Sequence, residues 1–289
     1  MNRINKWTLI IVCFLTSFGS QADDKPETVN TGQDPTAPLV RMDIRWDSVQ
    51  LPDASNPDEE IFIIRADAPI PLGNKGSAGT LYFRMDVPFV SLQSTGLANP
   101  GAMTMGSVYL QFMHIAPPSW GTFWGNKGWA YGLALQVPTS TYGREEATYI
   151  PTVGAKWNLN KSGSKFFTPV MKYLYGGEEE SRGFDEINEL HLMPIINFGI
   201  SKGIDFVTLW GNYEWVINLT DGSTSTKQSG DIFIPWDITV GKLLSGGKVV
   251  ISLTAAGKLV DANVTGATGR QGHQPLFDSR YMFRLGFFF

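Results

Sequence analysis

Apolar and polar positions alternate along most of this chain with a period of two. The last residues show it most clearly. Tyr281, Phe283, Leu285, Phe287 and Phe289 fall on one face of a strand, and Arg280, Met282, Arg284 and Gly286 fall on the other. The same alternation places Val40, Met42, Ile44 and Trp46 opposite Arg41, Asp43, Arg45 and Asp47. It also sets Leu81, Phe83, Met85, Val87 and Phe89 against Tyr82, Arg84 and Asp86, and it continues through Trp129, Tyr131, Leu133, Leu135 and Val137 and through Ile232, Ile234, Trp236 and Ile238. Twelve strands are predicted, centred on residues 39–49, 61–71, 79–91, 104–115, 128–138, 148–158, 165–175, 188–200, 205–218, 230–242, 247–259 and 277–289. Each is at or just above the ~9–11 residues that a tilted membrane strand needs. After residue 22 no apolar run is long enough for a membrane helix, so the pattern predicts an all-β chain, a transmembrane antiparallel β-barrel of about 12 strands over residues 38–289.

The links between these segments alternate in length, as the two ends of such a barrel require. Leu72 to Gly76, Asn160 to Gly163, Ser201 to Gly203 and Ser245 to Gly247 are short and glycine-bearing. Between them come longer polar links, Asp53 to Glu60, Ser94 to Met103, Thr139 to Glu146, Gly176 to Glu186, Asp221 to Gly230 and Asp261 to Pro275. With both ends of the chain periplasmic, the short set faces the periplasm. Pro117 to Lys127 breaks the parity: it is long, falls on the short-turn side, and carries Trp120, Phe123 and Trp124, which predict an interfacial aromatic patch.

Compartment follows from the N-terminus. Arg3 and Lys6 precede the apolar run Trp7 to Phe18, followed by small residues at Ser20 and Ala22, which reads as a secretory signal peptide over 1–22. Cys13 lies inside that run, so the processed chain would hold no disulfide, no cysteine metal site and no thiol nucleophile. Residues 23–37 are polar and proline-containing and read as a flexible periplasmic lead, or as a small plug entering the lumen. Without residues 1–22 the charge is set by 21 basic against 27 acidic residues, a net −6, which excludes a nucleic-acid partner.

Closing the barrel brings the last strand beside the first. Asp278, Arg280 and Arg284 then lie next to Arg41, Asp43, Arg45 and Asp47, followed by Arg65 and Asp67, then Arg84 and Asp86, an Arg/Asp sector of pore-lining candidates. Opposite charges in a narrow barrel pair with each other and fix the register, and they can also form a constriction that selects solutes. A second inward group, Lys156, Lys172, Glu189, His191, Glu214 and Asp237, is expected on the opposite wall, and Trp210 is expected to point inward as a ligand candidate.

Catalytic chemistry finds little support. His114, His191 and His273 lack metal-ligand spacing, and His191 is expected beside Glu189 as a wall residue. Glu178, Glu179, Glu180, Asp185 and Glu186 form an acidic run without the spacing of a calcium loop. Trp46, Trp129, Trp157, Trp215 and Trp236 fall on lipid faces. Neither a cofactor nor a metal is expected. A lipid hydrolase of the outer-membrane phospholipase kind is disfavoured because no His-x-Ser-Asn motif occurs.

The terminal strand resembles the C-terminal strand of bacterial outer-membrane β-barrels, in which alternate apolar residues ending on Phe form the assembly signal. That resemblance implies that Tyr281, Phe283, Leu285, Phe287 and Phe289 are read by the barrel-assembly machinery, with outer-membrane lipid as the surrounding phase. A narrower resemblance rests on Ile61-Phe62-Ile63-Ile64-Arg65-Ala66-Asp67-Ala68-Pro69-Ile70-Pro71-Leu72, on Met85 to Ser91 and on Tyr131 to Thr139. These segments are similar to the MetA-pathway outer-membrane transporter family linked to phenol degradation, over residues 60–289. It implies a passive channel in the cell outer membrane for small solutes, aromatic or apolar ones included, and no catalytic residues. A closed barrel acting through its outer loops is the alternative.

Overall fold

The protein is described by a computed structural model over residues 34, 36–51, 59–91, 103–122, 124–140, 144–179, 186–200, 203–219, 232–262 and 277–289. The expected signal peptide, most of the expected lead and His273 lie outside the described residues. Strands run β1 (Arg41–Gln50), β2 (Glu59–Pro71), β3 (Thr80–Ser91), β4 (Met103–Met105), β5 (Val108–Ile115), β6 (Gly128–Val137) and β7 (Thr148–Asn158). They continue as β8 (Lys165–Gly176), β9 (Ile187–Gly199), β10 (Phe206–Leu209), β11 (Trp215–Asn218), β12 (Ile232–Leu244), β13 (Val249–Ala262) and β14 (Ser279–Phe288). All pairings are antiparallel, successive places in the sheet are joined in chain order, and β14 pairs with β1, so the sheet closes on itself. Because β4 and β5 share one place beside β3, and β10 and β11 share one between β9 and β12, the fourteen segments make a 12-strand barrel. The twelve expected segments each correspond to one of these places.

Alternation in the sequence becomes inside and outside. Arg41, Asp43, Arg45, Asp47 and Val49 are buried, whereas Met42 and Trp46 are exposed on the outer wall. Such a wall is stable only where lipid replaces water, since Ile64, Phe112, Leu133, Met171, Ile238 and Phe283 all lie exposed on it. Trp46, Phe62 and Phe89 pack ring to ring across β1, β2 and β3.

The two ends differ as the link lengths predict. At the short-turn end, tight reversals use glycines at positive φ, such as Gly163 (φ 74) and Gly246 (φ 67), which a side chain would strain. The same end carries the aromatic patch. Trp120 packs on His114 and Trp129, Trp129 stacks on Tyr131, and Trp124 is 91% exposed, an arrangement suited to a membrane–water interface. Phe123 lies outside the described residues.

Two interruptions carry information that simple alternation lacks. Between β4 and β5 the pairing with β3 shifts by one residue, from Phe89↔Met105 to Asp86↔Tyr109. An odd shift exchanges faces, so Thr104 and Tyr109 both face inward although their numbers differ in parity. Between β10 and β11, the seven residues from Leu209 to Trp215 span the five from Ile196 to Leu192 on β9. The two extra residues preserve the phase. They push residues 210–214 out of the wall as an inward bulge.

Candidate functional site

The lumen is organised in three levels. At the short-turn end the chain ahead of β1 crosses the opening. Asp34 pairs with Lys156 on β7, and its carboxylate accepts hydrogen bonds from Thr36 N (2.9 Å) and Thr36 Oγ1 (2.7 Å), a local turn typical of aspartate. Thr36 lies against Gly128, where an added Cβ would come within 3.3 Å of Thr36 Cβ. Because β7 stands across the barrel from β1, Asp34 and residues 36–40 form a strap over the mouth.

The middle level holds the charges. Arg65 and Asp86 are directly opposed on β2 and β3 and form a two-pronged pair at 2.6 and 2.5 Å. Arg84 makes the same kind of contact to Asp67 at 2.9 and 3.4 Å, and Arg41 bonds the other side of Asp67. Across the seam the bonds run diagonally. Arg284 donates from Nη2 to Asp43 Oδ1 at 3.1 Å, and Arg280 donates to Asp47 Oδ2 at 2.5 Å. Arg45 donates to the same Asp43 at 3.0 Å. Gly286, directly opposite Asp43, leaves the room they occupy, since a Cβ there would sit 2.5 Å from Asp43 Oδ1.

Lys172, Glu189, His191 and Glu214 form a second network. The Lys172 ammonium lies 2.5 Å from Glu214 Oε1, His191 Nδ1 lies 2.5 Å from Glu214 Oε2, and His191 Nε2 lies 2.8 Å from Glu189 Oε2. Lys156 and Asp237, expected with this group, are elsewhere. Lys156 holds the strap, and the Asp237 carboxylate accepts from the backbone N–H groups of Gly211, Asn212 and Tyr213 at 3.2, 3.3 and 3.1 Å.

These bonds fix the inward bulge. With Glu214 tied to one wall and Asp237 beneath, Tyr213 reaches across the barrel and donates its hydroxyl to Asp47 at 3.0 Å. The Arg280 guanidinium lies 4.4 Å from the Tyr213 ring centre, and Phe277 packs edge-on to the same ring at 5.2 Å. Above this contact is the third level, an apolar cluster of Val49, Ile61, Ile63, Val216, Phe233 and Phe277, which fills the long-loop end of the lumen among the described residues.

Between strap and bulge lies a cavity of about 140 Å³. Arg41, Arg45, Arg65, Asp67, Arg84 and Arg284 line one side of it. Asp43, Asp47, Asp86 and Arg280 face the lumen on the same strands but are not among its lining residues. Two candidates sit apart from this level. Asp278 is at the long-loop rim in a half-exposed pair with Lys258 at 2.6 Å, because β14 begins only at Ser279. Trp210 does not line the cavity. Its backbone has φ 51, its indole N–H donates to Pro235 O at 3.2 Å, and its ring packs edge-on against Trp215 of the outer face. The positive φ at the start of the bulge turns it away from the inward direction that parity alone predicts. Tyr213 is the residue that sequence reasoning missed. The Gly211-Asn212 step interrupting an alternating segment is the signal that could have found it.

Of the terminal residues, Tyr281, Phe283 and Phe289 are exposed, and Leu285 and Phe287 share their outward face. The acidic run is partly structural, since Glu179 pairs with Arg144 at 3.5 Å and accepts the backbone N–H groups of Glu145 and Glu146. No group of residues spaced to hold a metal occurs among the described residues.

No known family profile matches the chain, and no curated protein matches it in sequence. Solved structures do match in fold. The COG4313 outer membrane channel from Pseudomonas putida F1 superposes with a TM-score of 0.59 at 12% identity, covering 94% of this chain and 100% of that one. The KdgM porin aligns with a TM-score of 0.47 at 8% identity over 86% of this chain and 99% of its own, too distant to add to the first. The fold is that of an outer-membrane β-barrel. Membership of the MetA-pathway transporter family has no support from these comparisons beyond the resemblance described above.

Proposed function

We propose that this protein is an outer-membrane channel through which small solutes diffuse passively, with selection for anions at the Arg/Asp sector. The observation that carries this reading is the unequal exposure of the two signs of charge. The Arg84 and Arg65 side chains are 23% and 11% exposed, whereas their partners Asp67 and Asp86 are 2% and 1% exposed. A solute in the cavity therefore meets guanidinium edges, and carboxylates lie behind them. Twelve strands fall between the eight that side chains fill and the sixteen that leave a water channel, so inward residues decide what passes. The fold neighbour described as an outer membrane channel is consistent with this function.

A second reading, a closed barrel whose loops do the work, is favoured by the apolar cluster at the long-loop end. Passage requires Tyr213 and Phe277 to swing aside there, and a constriction of that composition admits solutes with an apolar part.

Single-channel recording in planar bilayers separates the two readings. The channel reading expects discrete conductance with chloride favoured over potassium, a smaller preference in Arg84→Ala and a larger conductance in Tyr213→Ala. Silence in all three, with the barrels shown to be folded, establishes the closed reading.

A further inference from the structure

We infer that the mid-lumen cavity is a stoichiometric binding site for a small organic monocarboxylate, its carboxylate held between Arg45 and Arg284 and its apolar body, no larger than one ring, against the facing wall. This inference deepens the channel reading and rests on it for its role in transport, although binding is measurable without flux.

The first argument is charge placement. Arg45 and Arg284 stand directly opposite each other on β1 and β14, a like-charge cross-strand pair that destabilises a sheet unless something neutralises it. Both lean on Asp43, at 3.0 and 3.1 Å, so two buried guanidiniums share a carboxylate that Arg41 also approaches at 3.7 Å. By contrast, Arg65 and Arg280 each have an aspartate at 2.5 Å. The Nε of Arg45 has no hydrogen-bond partner although it is buried. Such a donor costs stability unless a ligand or ordered water takes it.

The facing wall supplies the second argument. Ala130, Gly154, Val170, Met193 and Ile195 line it from β6, β7, β8 and β9. Lys172 also reaches this wall, but its ammonium is engaged by Glu214. Thr168 is fully buried at the cavity, and its hydroxyl has no partner, leaving a second polar atom directed at whatever occupies the space. A cavity with donors in excess on one side and aliphatic groups on the other suits an amphipathic anion. Inorganic anions leave the apolar wall unused, and neutral apolar solutes leave the Arg45 Nε without an acceptor. Size sets the upper limit: a dry cavity of roughly 150 Å³ holds benzene, and this one measures about 140 Å³.

Isothermal titration of the detergent-solubilised full barrel with benzoate tests the inference, with acetate as the charge without the ring and benzyl alcohol as the ring without the charge. One benzoate per barrel is expected, with acetate and benzyl alcohol each binding about tenfold more weakly or worse. Arg45→Gln should weaken benzoate about 10- to 100-fold, the value of one lost charge-assisted bond, in a barrel that still folds, as read by its migration on unheated gels. No benzoate binding to a folded wild-type barrel overturns the inference. Equal affinity for acetate, or for benzyl alcohol, overturns the ligand class, and unaltered binding in Arg45→Gln overturns the site. Benzoate binding by a barrel that is silent in bilayers keeps the site and refutes the channel, whereas conductance without benzoate binding does the reverse.

Discussion

Replacing Asp43 by Asn is the sharpest test of the charge lattice, because the substitution keeps the side chain's shape and removes only its charge. Asp43 is fully buried, accepts bonds from Arg45 and Arg284 at 3.0 and 3.1 Å, and lies 3.7 Å from Arg41. Two charge-assisted bonds at ~1.5–3 kcal/mol each put the gross loss at about 3–6 kcal/mol. Breaking a buried ion pair from one side costs about 3–5 kcal/mol, because the cation left behind has no compensation. The two estimates agree, and a destabilisation of about 4 kcal/mol is expected. Unfolding in urea from phospholipid vesicles, followed by tryptophan emission, measures it. Adding Arg45→Gln to the Asp43→Asn barrel should recover at least about 1.5 kcal/mol, since it removes one of the stranded charges. If Asp43→Asn stays within about 0.5 kcal/mol of wild type, or if the second substitution lowers stability further, the lattice does not hold the seam and the reasoning fails.

Other outcomes follow from the same geometry. Gly286→Ala puts a Cβ 2.5 Å from Asp43 Oδ1 and 2.6 Å from Val250 Cγ1, so loss of urea stability by about 1–3 kcal/mol is expected, and an unchanged midpoint would show that the seam has slack. Leu133→Arg places a charge on the lipid face, where Leu133 is 40% exposed, and should cost ~2–4 kcal/mol in the same assay if that face meets the bilayer core. Deleting Phe289, whose side chain is 82% exposed, should leave the stability of the refolded barrel nearly unchanged while slowing assembly in cells, read as the ratio of folded to unfolded bands on unheated gels. Equal loss in both measurements would make it a structural residue instead.

Much of the barrel is legible in the sequence because the bilayer imposes a strict rule: a residue facing lipid is apolar or it is penalised, so parity reports direction. Arg41, Asp43, Arg45 and Asp47 on one side and Met42, Ile44 and Trp46 on the other needed no further information. The rule stops where the backbone leaves the wall. At Gly106-Ser107 one inserted residue reverses the phase, whereas at residues 210–214 two inserted residues leave it unchanged, so parity alone gives Trp215 its correct face although a bulge precedes it. Trp210 and Tyr213 lie inside that bulge, where φ and side-chain bonds set direction. Asp278 lies at the rim and not with the inner charges for a simpler reason: alternation says which way a residue points, not how far along the barrel axis the strand has begun.

The seam between β1 and β14 also has a temporal consequence. Its inward bonds join residues 233 and 241 positions apart, Asp47 to Arg280 and Asp43 to Arg284, so they cannot exist until the last strand has been synthesised and delivered. Before that moment Asp43 and Asp47 sit on a free edge strand with their seam partners absent. A barrel inserted up to β13 is therefore held well above the finished one in free energy and is not a stable stopping point. A last strand arriving one residue out of step would carry Arg280 and Arg284 into the lipid, at ~2–4 kcal/mol each near the midplane. The charge lattice thus sets an energetic penalty on a misregistered closure that the apolar outer face alone does not supply.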